Sequence, residues 1–347
     1  MANEHARPRI AITIGDPAGI GPEVTAGALA HGRLDEVCRP LVLGDAGVLR
    51  QAARFMGVAL KLEPVASPAE ASYAPGSVAL LDLANVDLGA LRMGTIQGAC
   101  GQAAYGYIRK SIELALAGEV DAVATAPINK EALRAGGVPY LDHTAMYADL
   151  THSPDPMTMF TVGTLRIFFA TRHVSLRTAV DQISKDLVLE NLLNADAALK
   201  SYGQQNPRIA VAALNPHNGE GGMFGDTEER QLRPAVEEAR ARGVNVSGPY
   251  PADSVFHMAK LGGVEAVLSL FHDQGHIAAK SIDFEKTIAI TTGLPFVRAS
   301  VDHGTAFDIA GTGKASWVSM AEAVRVGAEY ARLFRETKER QQEQALR

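Results

Sequence analysis

The stretch "LSLFHDQGHIAAK", residues 268–280, ends an apolar run in His272, Asp273, Gln274, Gly275 and His276, with Lys280 four residues further on. Imidazoles, a carboxylate and an amine are the side chains that ligate metals, move protons and hold anions. Two more histidines follow apolar runs in the same way, His173 in "TRH" and His217 in "NPH". The separations of His173, His217 and His272, 44 and 55 residues, match no local metal signature. A lone histidine at a strand end is usually a hydrogen-bonded structural residue. Three in equivalent topological positions make a candidate divalent site, and three ligands with open positions would be catalytic rather than structural. Neutral imidazoles favour Zn, Co, Ni or Fe over Mg or Ca.

Other residues could serve the same chemistry. Arg298 lies between apolar residues in "LPFVRAS", where an idle guanidinium would be costly. With Lys280 it could clamp a carboxylate or phosphate. His143 and Thr144 in "LDHTAMY" form a polar pair in what otherwise reads as a surface loop, and Asp253 stands in the loop-like "GPYPADSVF". Lys130 follows the run "DAVATAP". "GDPAGIGPEV" (15–24) is neither a dinucleotide fingerprint nor a Walker loop, since its glycines fall at 15, 19 and 21 and Pro22 stands where a lysine would be needed. Gly15 and Asp16 are candidate cofactor contacts there. Pro22 suits a first helical position, and Glu23 suits the positive end of the helix. "VDHGTAFDIAGTG" (301–313) offers His303, Gly304 and Asp308 for a loop around adenine or ribose. The glycines of "NPHNGEGGMFGDTEE" permit an unusual turn, with Asp226 or Thr227 as a cap and Glu228 and Glu229 as helix-start residues.

Elements must bring these residues together. Short Val/Ile/Ala-rich runs recur, "RIAITIG", "PLVLG", "SVALLDL", "DAVATAP", "LRIFFAT", "RIAVAAL", "AVLSLF" and "TIAITTG", each followed by polar punctuation. Helical patterns cover 97–117, the segment before Gly203, the segment before Gly243, and the C-terminal tail. Alternating strands and helices predict an α/β architecture with largely parallel sheets. Asp16, Lys130, His173, His217, His272 and Arg298 are all expected just beyond strands, where open α/β sheets bind ligands.

The 347 residues suffice for two domains. A formal charge of −6 and the lack of a basic run give no reason to expect nucleic acid. No apolar stretch approaches the roughly 20 residues of a membrane span, and the first residues lack the apolar core of a secretory signal. Cys38 and Cys100 make no disulfide framework and read as small buried residues of a reducing cytoplasm.

The ordered set "TIGDPAGIGPEV", "TAPINKEAL", "DHT", "TRHVSLR", "NPHNGEGGMFGDTEE", "GPYPADSVF", "HDQGHIAAK" and "GLPFVRASVDHGTAFDIAG" resembles the 4-hydroxythreonine-4-phosphate dehydrogenase family over about residues 9 to 330. Two of the motifs are also similar to the isocitrate and isopropylmalate dehydrogenase group, which binds the dinucleotide without a Rossmann fingerprint. The resemblance implies a two-domain α/β/α layered fold with the active site in the interdomain cleft. It implies a homodimer with a shared site, a divalent metal held by three histidines with one from the partner, and NAD, with NADP as the alternative. By matching motif, the metal ligands are His173, His217 and His272. The substrate contacts are His143, Thr144, Lys280 and Arg298. The catalytic candidates for proton transfer are His143, Asp253 and Lys130, which the sequence does not rank. Gly15, Asp16, His303, Gly304 and Asp308 fall on the cofactor side. Zinc is the expected metal, with Co, Ni, Mg or Mn as alternatives.

The expected domains are 1–132 plus 290–347 on the cofactor side, and 133–289 for metal, substrate and dimerisation. Three positions depart from the family pattern. Asp142 and Ala145 flank the His-Thr pair where Gly and Glu are usual, and Ala289 replaces an Asn. His276 and "TRHVSLR" resemble the branch acting on phosphorylated threonate or erythronate. The expected reaction is metal- and NAD-dependent oxidation, with decarboxylation, of a small β-hydroxy acid such as 4-hydroxythreonine-4-phosphate or a 4-phosphorylated threonate or erythronate. The alternatives are terephthalate 1,2-cis-dihydrodiol oxidation to protocatechuate and a non-catalytic ligand sensor, with a phosphotransacetylase-like transferase the weakest. Expected partners are a small-molecule substrate and a second copy of the chain, in the cytoplasm, with no nucleic acid or membrane.

Overall fold

The computed structural model describes residues 7–346. The fold is mixed α/β, as the alternation of elements predicts. Two compact units partition it. The first runs to Pro156 and resumes over Ile288–Arg332, and the second comprises Met157–Thr287 and the chain's end from Leu333. The expected boundaries therefore shift: residues 133–156 belong with the first unit, because Tyr147 packs edge-on against Phe296, their ring centroids 6.1 Å apart. The last helix, Val318–Ala345, is divided at Arg332.

In the first unit the strands are β1 (Arg9–Thr13), β2 (Arg39–Gly44), β3 (Lys61–Pro64), β4 (Ser77–Asp82), β5 (Ala122–Thr125), β11 (Ile288–Thr292) and β12 (Val297–Val301). They lie in the order β3-β4-β2-β1-β5-β12-β11, and only the β11/β12 pair is antiparallel. β5 is buried at every position, so its small side chains leave room for helices on both faces. The second unit carries β6 (Met157–Val162), β7 (Leu165–Phe169), β8 (Ile209–Ala212), β9 (Val246–Tyr250) and β10 (Ala266–Ser269). Their order is β6-β7-β10-β8-β9, parallel except for the β6/β7 hairpin. All eight runs read as strands in the sequence are strands here.

Cys38 and Cys100 are both buried and unpaired, and burial pushes each thiol up to about 12. Among the described residues, no helix is long and apolar enough to cross a membrane.

Candidate functional site

Arg298 is not beyond a strand end, as the sequence suggested, but within β12, as its second residue. The run "FVRAS" hid this strand because a charge interrupts it. Antiparallel register sets Arg298 opposite Thr291 on β11, and Nη1 donates to the Thr291 hydroxyl at 2.9 Å. Parallel register with β5 pairs Ser300 with Thr125, two positions along, so Nη2 reaches the Thr125 hydroxyl at 2.8 Å. The guanidinium also lies over the Tyr147 ring, 5.2 Å from its centroid. Arg298 is 4% exposed, and its Nε is buried without a protein partner.

His143 belongs to the same cluster. The stretch "LDHTAMY" is the start of a helix, α5 (His143–Leu150), rather than a loop. Asp142 caps it by accepting from the Ala145 N–H at 3.0 Å, which gives that departure from the family pattern a local role. Burial and the Arg298 charge hold His143 well below the usual imidazole range, so the ring is neutral at pH 7. Its Nε2 is likewise buried without a partner. The orphaned guanidinium Nε of Arg298 and the orphaned imidazole Nε2 of His143 can together receive an anion or a hydroxyl. Thr144 is half-buried in the same first turn. Lys130 opens the short helix α4 (Lys130–Ala135), capped by Asn129, and is exposed.

The two loops assigned to the cofactor side meet in the first unit. The Ile20 N–H donates to the Thr305 carbonyl at 3.0 Å, and Asp16 N–H to that of Pro127 at 3.0 Å. Gly15 turns the chain with φ +72°. Asp16 is 1% exposed; Oδ1 accepts from Ala18 N–H at 2.8 Å, while Oδ2 has no partner. Burial raises its pKa to about 6. His303 bonds the Gly304 carbonyl through Nδ1 at 3.1 Å, and its Nε2 is buried and unpartnered. Gly304 and Asp308 are exposed.

In the second unit the opening question of "HDQGH" has a residue-by-residue answer. Helix α10 (His272–Ile282) begins at His272. Asp273 lies 2.7 Å from His272 Nδ1, which fixes the tautomer and leaves Nε2 for a ligand. Gln274 bolts the helix to the sheet, accepting from Leu270 N–H at 2.8 Å and donating to the Ala213 carbonyl at 2.8 Å. A Cβ at Gly275 would fall 2.5 Å from the Phe169 ring, so only glycine lets the helix lie this close to β7. The His276 ring stacks on His272 at 3.5 Å and packs against Phe160 and Phe169. His272, His276 and Lys280 recur every four residues, on one helix face. Lys280 is thus within α10, its Nζ 5.0 Å from the centre of the Phe284 ring.

His173 follows β7, its ring centre 6.0 Å from that of His272. His217 lies on a loop after β8, with Nδ1 3.4 Å from a Glu220 oxygen. Within the single chain, no group of three or more His, Cys, Asp or Glu among the described residues is arranged to hold a metal. The structure brings His173 and His272 together and does not bring the trio together. The donor chemistry nevertheless suits a borderline metal: His217 and His272 each have a carboxylate beside Nδ1. Asp253 is exposed in the first turn of α9 (Ala252–Lys260), not in a loop, and helps line a groove with His257, Lys260, Asp273 and Ile277.

Sequence reasoning missed the supporting residues Gln274, Tyr147 and Glu228. Asp226 and Thr227 make no side-chain cap, and Glu228 is no mere helix-start residue, since its carboxylate is buried and turned back onto Leu214 and Asn215. The signal for Gln274 was its place between a strand and a glycine. Nothing local flagged the other two.

These features define an α/β protein with an enzyme-like array of buried polar groups. The family model described as "Pyridoxal phosphate biosynthetic protein PdxA" matches residues 36–327, and the chain belongs to that family. This is the family to which the motifs pointed. A relative from Symbiobacterium thermophilum, named "Putative D-threonate 4-phosphate dehydrogenase", is 58% identical over 96% of this chain and 99% of its own. A solved 4-hydroxythreonine-4-phosphate dehydrogenase from Klebsiella pneumoniae is 42% identical, with a TM-score of 0.88, covering 94% of this chain and 98% of that one. A terephthalate 1,2-cis-dihydrodiol dehydrogenase from Burkholderia xenovorans LB400 is 31% identical, with a TM-score of 0.62, covering 93% and 98%. The named relatives are dehydrogenases.

Proposed function

We propose that this chain oxidises, and in the same turnover decarboxylates, a small β-hydroxy acid bearing a 4-phosphate, with D-threonate 4-phosphate or its erythronate epimer ahead of 4-hydroxythreonine-4-phosphate. The observation that carries this reading is the buried Arg298 guanidinium with an unpartnered Nε beside a neutral, unpartnered His143. An apolar ring, two threonine hydroxyls and a fixed cation suit an anionic, hydroxylated substrate. The ranking of substrates follows the names and identities of the relatives.

Arg298 orients the acid, and Lys280 supplies a second cation. His143, kept neutral by burial, accepts the hydroxyl proton through Nε2. This ranks it above exposed Lys130 and Asp253. Thr144 hydrogen-bonds the substrate from the same helical turn. Asp16 and the His303–Asp308 loop flank the NAD side. His173, His217 and His272 would hold a divalent ion, zinc first, with the carboxylates of Asp273 and Glu220 fixing the tautomers of two of them. When bound, the ion supplies Lewis-acid polarisation of substrate oxygens, and the nicotinamide supplies the hydride acceptor. A homodimer in the cytoplasm completes the reading, supported by the apolar groove on α9 and α10 and by two unoxidised, buried cysteines.

The test is NADH absorbance and carbon dioxide release with zinc and NAD. The panel is 4-phosphothreonate, 4-phosphoerythronate, 4-phosphohydroxythreonine and the terephthalate dihydrodiol. Turnover is expected with the first two at the highest kcat/KM. Preference for the dihydrodiol would replace this reading with the second one, and binding without any NADH would replace it with a sensor.

A further inference from the structure

We infer that Glu228 is a positioning residue for His217, acting through the loop between Asn215 and Gly225 and touching neither metal nor substrate. The inference rests on the proposed role of His217 as a ligand. The Glu228 side chain is fully buried. Its Oε1 accepts from the backbone N–H of Leu214 at 2.8 Å and of Asn215 at 2.7 Å. Its Oε2 accepts from the Asn215 amide at 2.9 Å. A first-turn acid would normally face the free N–H groups of its own helix. Glu228 instead opens a π turn, Glu228–Leu232, and reaches back 13 and 14 residues.

The loop it ties is unlike an ordinary connection. His217, Asn218, Gly219, Glu220 and Gly221 run consecutively through the left-handed region, with φ of 52°, 60°, 78°, 45° and 63°. Three of these carry side chains, and of them Glu220 is the least suited to that conformation. Left alone, such a segment would relax into other shapes. It is held at one end by the Glu228–Asn215 knot. A Cβ at Gly219 would stand 2.9 Å from Glu228 Oε2, and one at Gly225 only 2.7 Å from the Asn215 amide nitrogen. The loop is therefore packed onto the Glu228 carboxylate at Gly219 and onto the Asn215 side chain, which that carboxylate holds, at Gly225. His217 lies between Asn215 and Gly219, so the knot fixes the backbone on both sides of it. Its ring meets Phe224 edge-on at 5.9 Å. Pre-ordering the loop means that a metal ion need not order it on arrival.

The experiment measures zinc affinity of the full chain by competition with a chromophoric chelator, alongside circular dichroism. His217→Ala is the control and is expected to lose at least about 100-fold. Glu228→Leu, which cannot accept any of the three hydrogen bonds, is expected to lose about 10- to 100-fold, the scale of outer-shell effects on metal sites. Glu228→Gln should stay within about 3-fold, because its amide oxygen still accepts both backbone N–H groups and its amide nitrogen can face a flipped Asn215. Loss of affinity in Glu228→Leu with an unchanged circular-dichroism spectrum, restored in Glu228→Gln, is what a carboxylate serving only the fold would not produce. If Glu228→Leu fails to fold, Asn215→Ala, which removes only the side-chain tie, is expected to lose about 3- to 10-fold. Wild-type affinity in whichever of the two folds, with His217→Ala weak, overturns the inference. Wild-type affinity in His217→Ala overturns the ligand assignment itself, and the inference with it.

Discussion

Asp16 sits where burial favours its neutral form. In an unfolded chain it titrates near 3.8, and in the fold at about 6. The stability associated with its protonated state is complete below the lower value and is lost as the pH rises through the upper one. Above that window the ionised group costs on the order of 2–3 kcal/mol, at about 1.4 kcal/mol per unit. Asp16→Asn keeps an oxygen for the Ala18 N–H and cannot ionise. It should match the wild type at pH 4 and exceed it by roughly that amount at pH 8, read from urea midpoints. An equal difference at both values would remove burial as the cause.

Single elements carry ties that span most of the chain. Glu23 lies in the first turn of α1 (Gly21–His31), where the sequence suggested only a helix-dipole role. It is fully buried, and its oxygens accept from Gly311 N–H at 2.6 Å and Gly313 N–H at 2.7 Å. Glu23→Ala would leave the half-buried Gly311 and Gly313 N–H groups without their acceptor and should cost about 1–3 kcal/mol, seen as a lower urea midpoint with an unchanged slope. A loss below about 0.5 kcal/mol would show that water replaces the carboxylate. This tie shows why the sequence was legible in some places and not in others. β1, β5 and β10 are buried on both faces, so their apolar runs are continuous and unmistakable. β12 was hidden because Arg298 interrupts it, and that charge is tolerated only through partners on β5 and β11, far away in the chain. The residue types of the candidate site were legible, because histidine, lysine and arginine announce their chemistry. Their supports were not. Gln274, Glu23 and Glu228 look like surface residues until the backbone groups they meet are in place.

At the scale of the molecule, the apolar surface is uneven. In the second unit Ile277 is 65% exposed and Phe284 66%. Ile277 also lines, with Phe256, Ala278 and Ile282, a groove of about 500 Å³. Exposed apolar residues are rarely grouped in this way without a use. The expected outcome in sedimentation is twice the mass of one chain, falling to a single mass in Ile277→Asp. No metal-holding group of three forms within one chain among the described residues. The dissociated variant should therefore also lose zinc, measured by elemental analysis after gel filtration. A monomeric wild type that retains zinc would refute both expectations.

The interior placement of Cys38 and Cys100 has a practical corollary. With both thiols raised to about 12, only about one in 10⁴ to 10⁵ is thiolate near neutral pH, and neither is accessible to an alkylating dye. A single cysteine engineered at exposed Met223 would outcompete both for maleimide. The native chain is thus already a silent background for a fluorophore beside His217, able to report in real time when that loop changes shape.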